Sequence, residues 1–228
     1  MNGKKSILIL SLLLCALTLA GCGRKDAVSY EAFTDAAAAP LTEAQLDECT
    51  AWFARMENNG LLRVPYTDAA AAPEQLVPYL EILLYDMGET DLTERELSMI
   101  ENEGAYMDLV GKYRLSRTLI AEYLGEKFGI RPEDAARILE DPDPAPAGIY
   151  LEEYDAWYIV HGDTWFEEYV FVYGEKGADG SVRLFYTNPL LTAAGEDGSP
   201  VFFSDQLMAV TLVCRNDIWY VASNEILQ

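Results

Sequence analysis

Asp141-Pro142-Asp143-Pro144-Ala145-Pro146 divides the chain. Alternating prolines remove backbone donors and bias the residue before each of them toward extended conformations, so no helix crosses the stretch and it reads as a stiff connector. Helix signals lie before it, and β-branched and aromatic runs separated by turns lie after it. The fold class that follows is α+β: a helical region at 41–140, the Pro-rich connector at 141–148, and an antiparallel β-sheet region at 149–228. The last is a meander of about five strands, forming one domain with the helices.

Downstream of the connector the runs fall at 154–160, 167–173, 181–187, 206–215 and 218–222. Gly177-Ala178-Asp179-Gly180 and Asn216-Asp217 supply hairpin turns, which makes neighbouring strands antiparallel. Alternation assigns Val170, Val172, Val182, Leu184, Val210, Leu212 and Cys214 to one aliphatic face. Tyr169, Phe171, Tyr173 and Phe185 fall on alternate positions, giving an aromatic face that must curl around a pocket, meet more helix or meet a partner.

Upstream, Thr42 and Gln45 form a capping box for a helix from 43 to about 58, with Leu46, Cys49, Phe53 and Met56 on its buried stripe and Trp52 at the stripe's edge. An extended piece at 61–66 closes at Pro65, and a second helix spans about 73–87, with Pro78 as a break or kink. Thr93 and Glu96 cap a helix that ends near Gly104. Ser116 opens another at 117–128, burying Leu119, Ile120, Tyr123, Leu124 and Phe128 and stopping at Gly129. Pro132 starts a last short helix carrying Ala135, Ile138 and Leu139. Helices first and an antiparallel meander after them resemble the cone-shaped NTF2-like or cystatin-like folds, a likeness of fold that implies no function.

Residues 33–40 and 66–73 echo one another, Phe33-Thr34-Asp35-(Ala)4-Pro40 against Tyr66-Thr67-Asp68-(Ala)4-Pro73. No third copy stands near position 99, so these are alanine-rich lead-ins to two helices rather than units of a solenoid.

The N-terminus carries Lys4 and Lys5 followed by an almost wholly apolar run at 7–20. Such a run reaches about 21 Å as a helix, short of a hydrocarbon core of ~30 Å, and reads as a cleaved signal peptide at 1–21. Leu19-Ala20-Gly21-Cys22 resembles the lipobox of bacterial lipoproteins with a type II signal peptide. The resemblance implies that Cys22 receives a diacylglyceryl group and becomes the mature N-terminus, anchored to the outer face of the membrane, since two acyl chains hold stably where one does not. Residues 22–40 then read as the lipidated cysteine and a flexible tether.

The whole chain holds 16 basic and 38 acidic residues, a formal charge of −22, made two more negative by loss of Lys4 and Lys5. Nucleic acid is thereby excluded as a partner, and a charge of this sign keeps an exported domain soluble. With Cys15 in the leader and Cys22 lipidated, Cys49 and Cys214 remain; export permits a bridge between them, although each sits in its own hydrophobic pattern.

Chemistry is sparse. The single histidine stands in His161-Gly162-Asp163-Thr164, where His161 and Asp163 form a candidate polar site and a strand-connecting turn is the simpler account. The run from Tyr150 to Thr164 also resembles uncharacterised lipoproteins of Gram-positive gut bacteria, which carry similar Tyr-Asp-aromatic-Tyr and His-Gly-Asp-Thr strings; that family implies no activity. No nucleophile elbow, phosphate loop or zinc spacing occurs, and no cofactor or metal site is expected. Asp179-Gly180-Ser181 and Asp197-Gly198-Ser199 lack the spaced acids of a calcium loop. The leading expectation is a lipid-anchored extracytoplasmic binding or interaction protein for an envelope protein or glycan, with Tyr169, Phe171, Tyr173 and Phe185 as the ligand face. Alternatives are a cell-envelope hydrolase using paired carboxylates or His161, and a structural subunit of an envelope complex.

Overall fold

The structure is a computed structural model that describes residues 30–84, 87–102, 111–140, 148–161, 169, 171–188, 191–195, 200–204 and 206–228. The leader, Cys22 and all of the connector but Gly148 lie outside the described residues.

A 3-10 turn at Tyr30–Phe33 leads into β1 (Ala39–Pro40) and α1 (Glu43–Phe53), whose start carries the complete Thr42/Gln45 capping box. The helix ends at Phe53 rather than near 58, and a separate turn, α2 (Met56–Asn59), runs on into a 3-10 segment at Gly60–Leu62. Pro73 and Pro78 together hold Pro73–Tyr79 in a 3-10 helix, so the second expected helix shrinks to α3 (Leu80–Leu83). Beyond it lie α4 (Glu94–Asn102), β2 (Gly111–Ser116), α5 (Arg117–Phe128) and α6 (Pro132–Ile138). Ser116 caps α5 through the Leu119 amide, and Gly129 closes it at φ 67°. The later strands are β3 (Ile149–Leu151), β4 (Ala156–His161), β5 (Phe171–Lys176), β6 (Val182–Asn188), β7 (Leu191–Ala194), β8 (Pro200–Phe203), β9 (Gln206–Arg215) and β10 (Ile218–Ile226).

The chain is thus α+β with antiparallel sheets, but the halves interleave. A five-stranded sheet runs β1-β5-β6-β9-β10, a three-stranded one β2-β4-β3, and a ribbon pairs β7 with β8. Strand β1 comes from the stretch read as tether and β2 from the region read as helical. Asn216 and Asp217 both take positive φ, 53° and 64°, at the β9–β10 hairpin, as its tight two-residue loop requires.

Both copies of the alanine echo serve as edge covers for the large sheet. At one edge Ala39 and Pro40 pair with Lys176 and Glu175, and the Leu41 amide donates to the Gly174 carbonyl at 2.8 Å. At the other, Tyr66 and Asn224 exchange backbone bonds at 2.8 Å, and the Ala69 amide donates to the Ala222 carbonyl. Two short, proline-ended covers blunt edges that would otherwise template further strands. Residues 30–40 are therefore not free tether, a correction to the expected boundary at 40. Tyr30 stacks on Tyr173 with ring centroids 4.9 Å apart, Arg183 donates to the Phe33 carbonyl at 3.0 Å, and Glu175 accepts the Asp35 amide.

The main core lies on the other face of this sheet, against α1, α3, α5 and α6. Threaded through it are Leu61, Leu62 and Val64, none with any exposed surface. Their carbonyls need internal donors. Asn224 donates to Leu62 and Val64 at 3.3 and 2.9 Å, Asn188 to Leu62 at 2.7 Å and the Tyr66 hydroxyl to Leu61 at 2.8 Å. The expected extended piece at 61–66 is instead this pinned 3-10 turn and irregular chain, with an isolated β-bridge at Tyr66.

Candidate functional site

The capping box fixes the start of α1, and the helix period then sets two adjoining stripes. Leu46, Cys49 and Phe53 face the core. Gln45, Glu48, Cys49 and Trp52, spaced i, i+3, i+4 and i+7, face a groove between the helix and the sheet. The opposite wall is one rung of the sheet, Lys176–Val182–Leu212 in register across three strands, followed by Trp219 opposite Cys214. Leu41 closes the end. The groove has a volume of about 260 Å³, below the range usual for drug-sized ligands.

Its floor is apolar and its rim polar. Cys49, Trp52, Val182, Leu212 and Leu41 are buried or half-buried, while Gln45, Glu48 and Lys176 are exposed. Trp219 keeps 41% of its surface exposed, so its ring forms an open lip rather than core. Trp52 is held more firmly: its ring meets Phe53 edge-on at 4.7 Å, and Lys127 Nζ sits 5.9 Å from it. Asn58 ties the two together, donating to the Trp52 carbonyl at 2.8 Å and accepting from Lys127 at 2.7 Å. Burial pushes the Lys127 ammonium down. Burial, then the neighbouring Glu48 charge, pushes the Cys49 thiol up, so Cys49 is a neutral wall residue and no activated nucleophile. Cys49 and Cys214 are both free, Cys214 exposed at the end of β9.

The expected aromatic face does not exist as a face. A bulge at Val172 lets Phe171 pair with Tyr186 and Tyr173 with Phe185, two steps on β5 against one on β6. Phe171 therefore turns into the core, 5.3 Å from both Phe53 and Tyr186, and Tyr169 packs edge-on to Tyr186 at 5.8 Å. Tyr173 and Phe185 lie on the opposite side under Tyr30, and Phe185 has no exposed surface. Val172, assigned to the aliphatic face, is instead 50% exposed. The same one-residue insertion explains each of these corrections.

His161 ends β4 opposite Gly111; its side chain, Gly162 and Asp163 lie outside the described residues, as does Asp197-Gly198-Ser199. Asp179 accepts from the Ser181 amide and hydroxyl, an ordinary hairpin turn. Among the described residues no group of three His, Cys, Asp or Glu side chains is placed to hold a metal.

The Glu96 carboxylate is buried within a polar cluster. Glu96 completes the α4 capping box with Thr93 and accepts from the Tyr158 hydroxyl at 2.6 Å and Arg114 Nη1 at 2.7 Å. Arg114 Nε also binds Glu89 at 2.7 Å. Burial alone would raise the Glu96 carboxyl, but the hydrogen bonds from Tyr158, Thr93 and Arg114 outweigh it and hold it at about 2. Burial and the Glu96 charge push the Tyr158 hydroxyl well up. Glu96 is thereby held ionised beside Arg114, whereas a general acid needs its carboxyl raised. The cluster is a staple between α4, β2 and β4.

Sequence reasoning missed the groove because its helix wall and sheet wall lie more than 120 residues apart along the chain. Trp52 at the edge of a buried stripe and Ile218-Trp219 directly after a hairpin turn are the local signals that point to it. No family model matches the chain, and neither does any curated protein or solved structure.

Proposed function

We propose that the protein is a lipid-anchored binding protein on the outer face of a bacterial membrane, and that it binds through the groove between α1 and the large sheet. The observation that carries the binding half is the groove: an apolar floor, a tryptophan lip and a polar rim in a concave site. Support for the address comes from the lipobox-like Leu19-Ala20-Gly21-Cys22. With residues from Tyr30 onward docked on the sheet, the leash from Cys22 spans eight residues, at most about 28 Å fully extended. The domain then works close to the bilayer. Its charge makes the anchor, and not the surface, the means of attachment. No observation among the described residues favours the hydrolase or structural-subunit reading over this one.

Two experiments test the halves. Cys22→Ala should leave the chain at its precursor size or release it from the membrane fraction; a variant still membrane-bound at mature size contradicts the anchor. In NMR titrations with indole, a small neutral probe, the indole N–H signals of Trp52 and Trp219 should shift while that of the buried Trp157 stays in place. Equal movement of all three, or of none, contradicts the groove.

A further inference from the structure

The groove is bordered by two opposite charges that do not meet. Glu48 stands on the helix wall and Lys176 on the sheet wall, with the apolar floor between them. Both are exposed, and neither makes an ion pair or a side-chain hydrogen bond among the described residues. Seven other described basic side chains, Arg95, Lys112, Arg114, Arg117, Arg131, Arg137 and Arg183, do have an acidic partner, and Lys127 is held by Asn58 instead, so the Lys176 ammonium is one of the few left open to a ligand.

Resting on the binding role of the groove, we propose that its ligand is a zwitterion with an apolar body, namely a free apolar amino acid or a short apolar peptide. The ammonium meets Glu48, the carboxylate meets Lys176, and the side chain lies on Cys49, Val182 and Leu212 between the tryptophans.

Three observations select this chemistry. First, net charge: a free anion is repelled by the field of a chain at −22, and a simple cation finds acids over the whole surface and has no need of a groove. A molecule that is neutral overall and carries both charges is matched only where an acid and an unpartnered lysine flank an apolar floor. Second, size: about 260 Å³ suits an amino acid or a short peptide and is small for an extended glycan. Third, donors: the Trp52 and Trp219 indole N–H groups make no hydrogen bond among the described residues and can supplement Lys176 at the carboxylate.

Calorimetric titration of the mature chain with leucine, leucyl-leucine, trileucine and the blocked forms N-acetyl-leucyl-leucine and leucyl-leucine amide tests the proposal. The best of the three unblocked ligands names the source, amino acid or peptide. Each block should weaken leucyl-leucine about fivefold, the scale of one exposed ion pair at ~1 kcal/mol. Glu48→Gln should erase the penalty for N-acetylation alone, and Lys176→Met the penalty for amidation alone. Glu43→Gln, the same charge change on the same helix away from the groove, should leave both penalties intact. If the blocked forms bind as well as leucyl-leucine, the zwitterion is wrong while the groove stands. If none of these ligands binds and indole leaves Trp52 and Trp219 unmoved, both are wrong.

Discussion

At the scale of single residues, stability rests on a few buried polar groups with several jobs each. Asn224 is one: its amide serves two carbonyls of the buried Leu62–Val64 segment, its Oδ1 accepts from the Tyr186 hydroxyl at 2.8 Å, and its backbone pairs with Tyr66. Asn224→Ala leaves the Val64 carbonyl without its side-chain donor and the Tyr186 hydroxyl without its acceptor amide, while Leu62 keeps Asn188, and should cost about 2–4 kcal/mol in denaturant unfolding. A loss below ~1 kcal/mol would show that the segment is not pinned this way. Glu96 is another. Its folded pKa, about 2, lies below the ordinary carboxylate value of 4.5, so its contribution is fully present above about pH 4.5 and is lost as pH falls toward 2. Glu96→Gln should therefore be less stable at pH 7 and lose less stability than the wild type between pH 4.5 and 2. Parallel pH profiles for the two would contradict the coupling to Arg114 and Tyr158.

At the scale of elements, what the sequence makes legible is what local chemistry decides. Thr42/Gln45, Thr93/Glu96, Ser116 and Gly129 each satisfy or stop their own turn of helix, and each acts where its sequence places it. Asn216-Asp217 likewise makes its hairpin, and the strands at 181–187 and 206–215 appear within a residue of expectation. The strap at 30–41 was not legible. It has no apolar period, and its docking depends on one aromatic ring and a distant strand edge. The bulge at Val172 was hidden for a related reason: one inserted residue reverses strand parity, so Tyr169 and Phe171 exchanged a supposed ligand face for the core. The strap gives its own prediction. Tyr30→Ala removes a stacked ring and should cost about 1 kcal/mol while uncovering Tyr173 and Phe185, seen as increased binding of a hydrophobic dye. Unchanged stability and dye binding would mean that the face is covered by something else.

At the scale of the whole molecule, Tyr30 and the groove lie on opposite faces of one sheet. Tyr30 leaves from the Tyr173–Phe185 side, and the groove opens on the side of Val182 and Leu212. On the proposed anchoring at Cys22, attachment on one face leaves the groove on the other face free for its ligand. The two described cysteines allow the groove to be tested directly, because Cys49 lines its floor while Cys214, opposite the Trp219 lip, is exposed and does not line it. The decisive measurement is the alkylation rate of each thiol in the mature chain, with and without saturating leucyl-leucine or indole. Occupancy of the groove predicts several-fold slower modification of Cys49 with Cys214 unchanged; equal rates at Cys49 with and without either probe would contradict it.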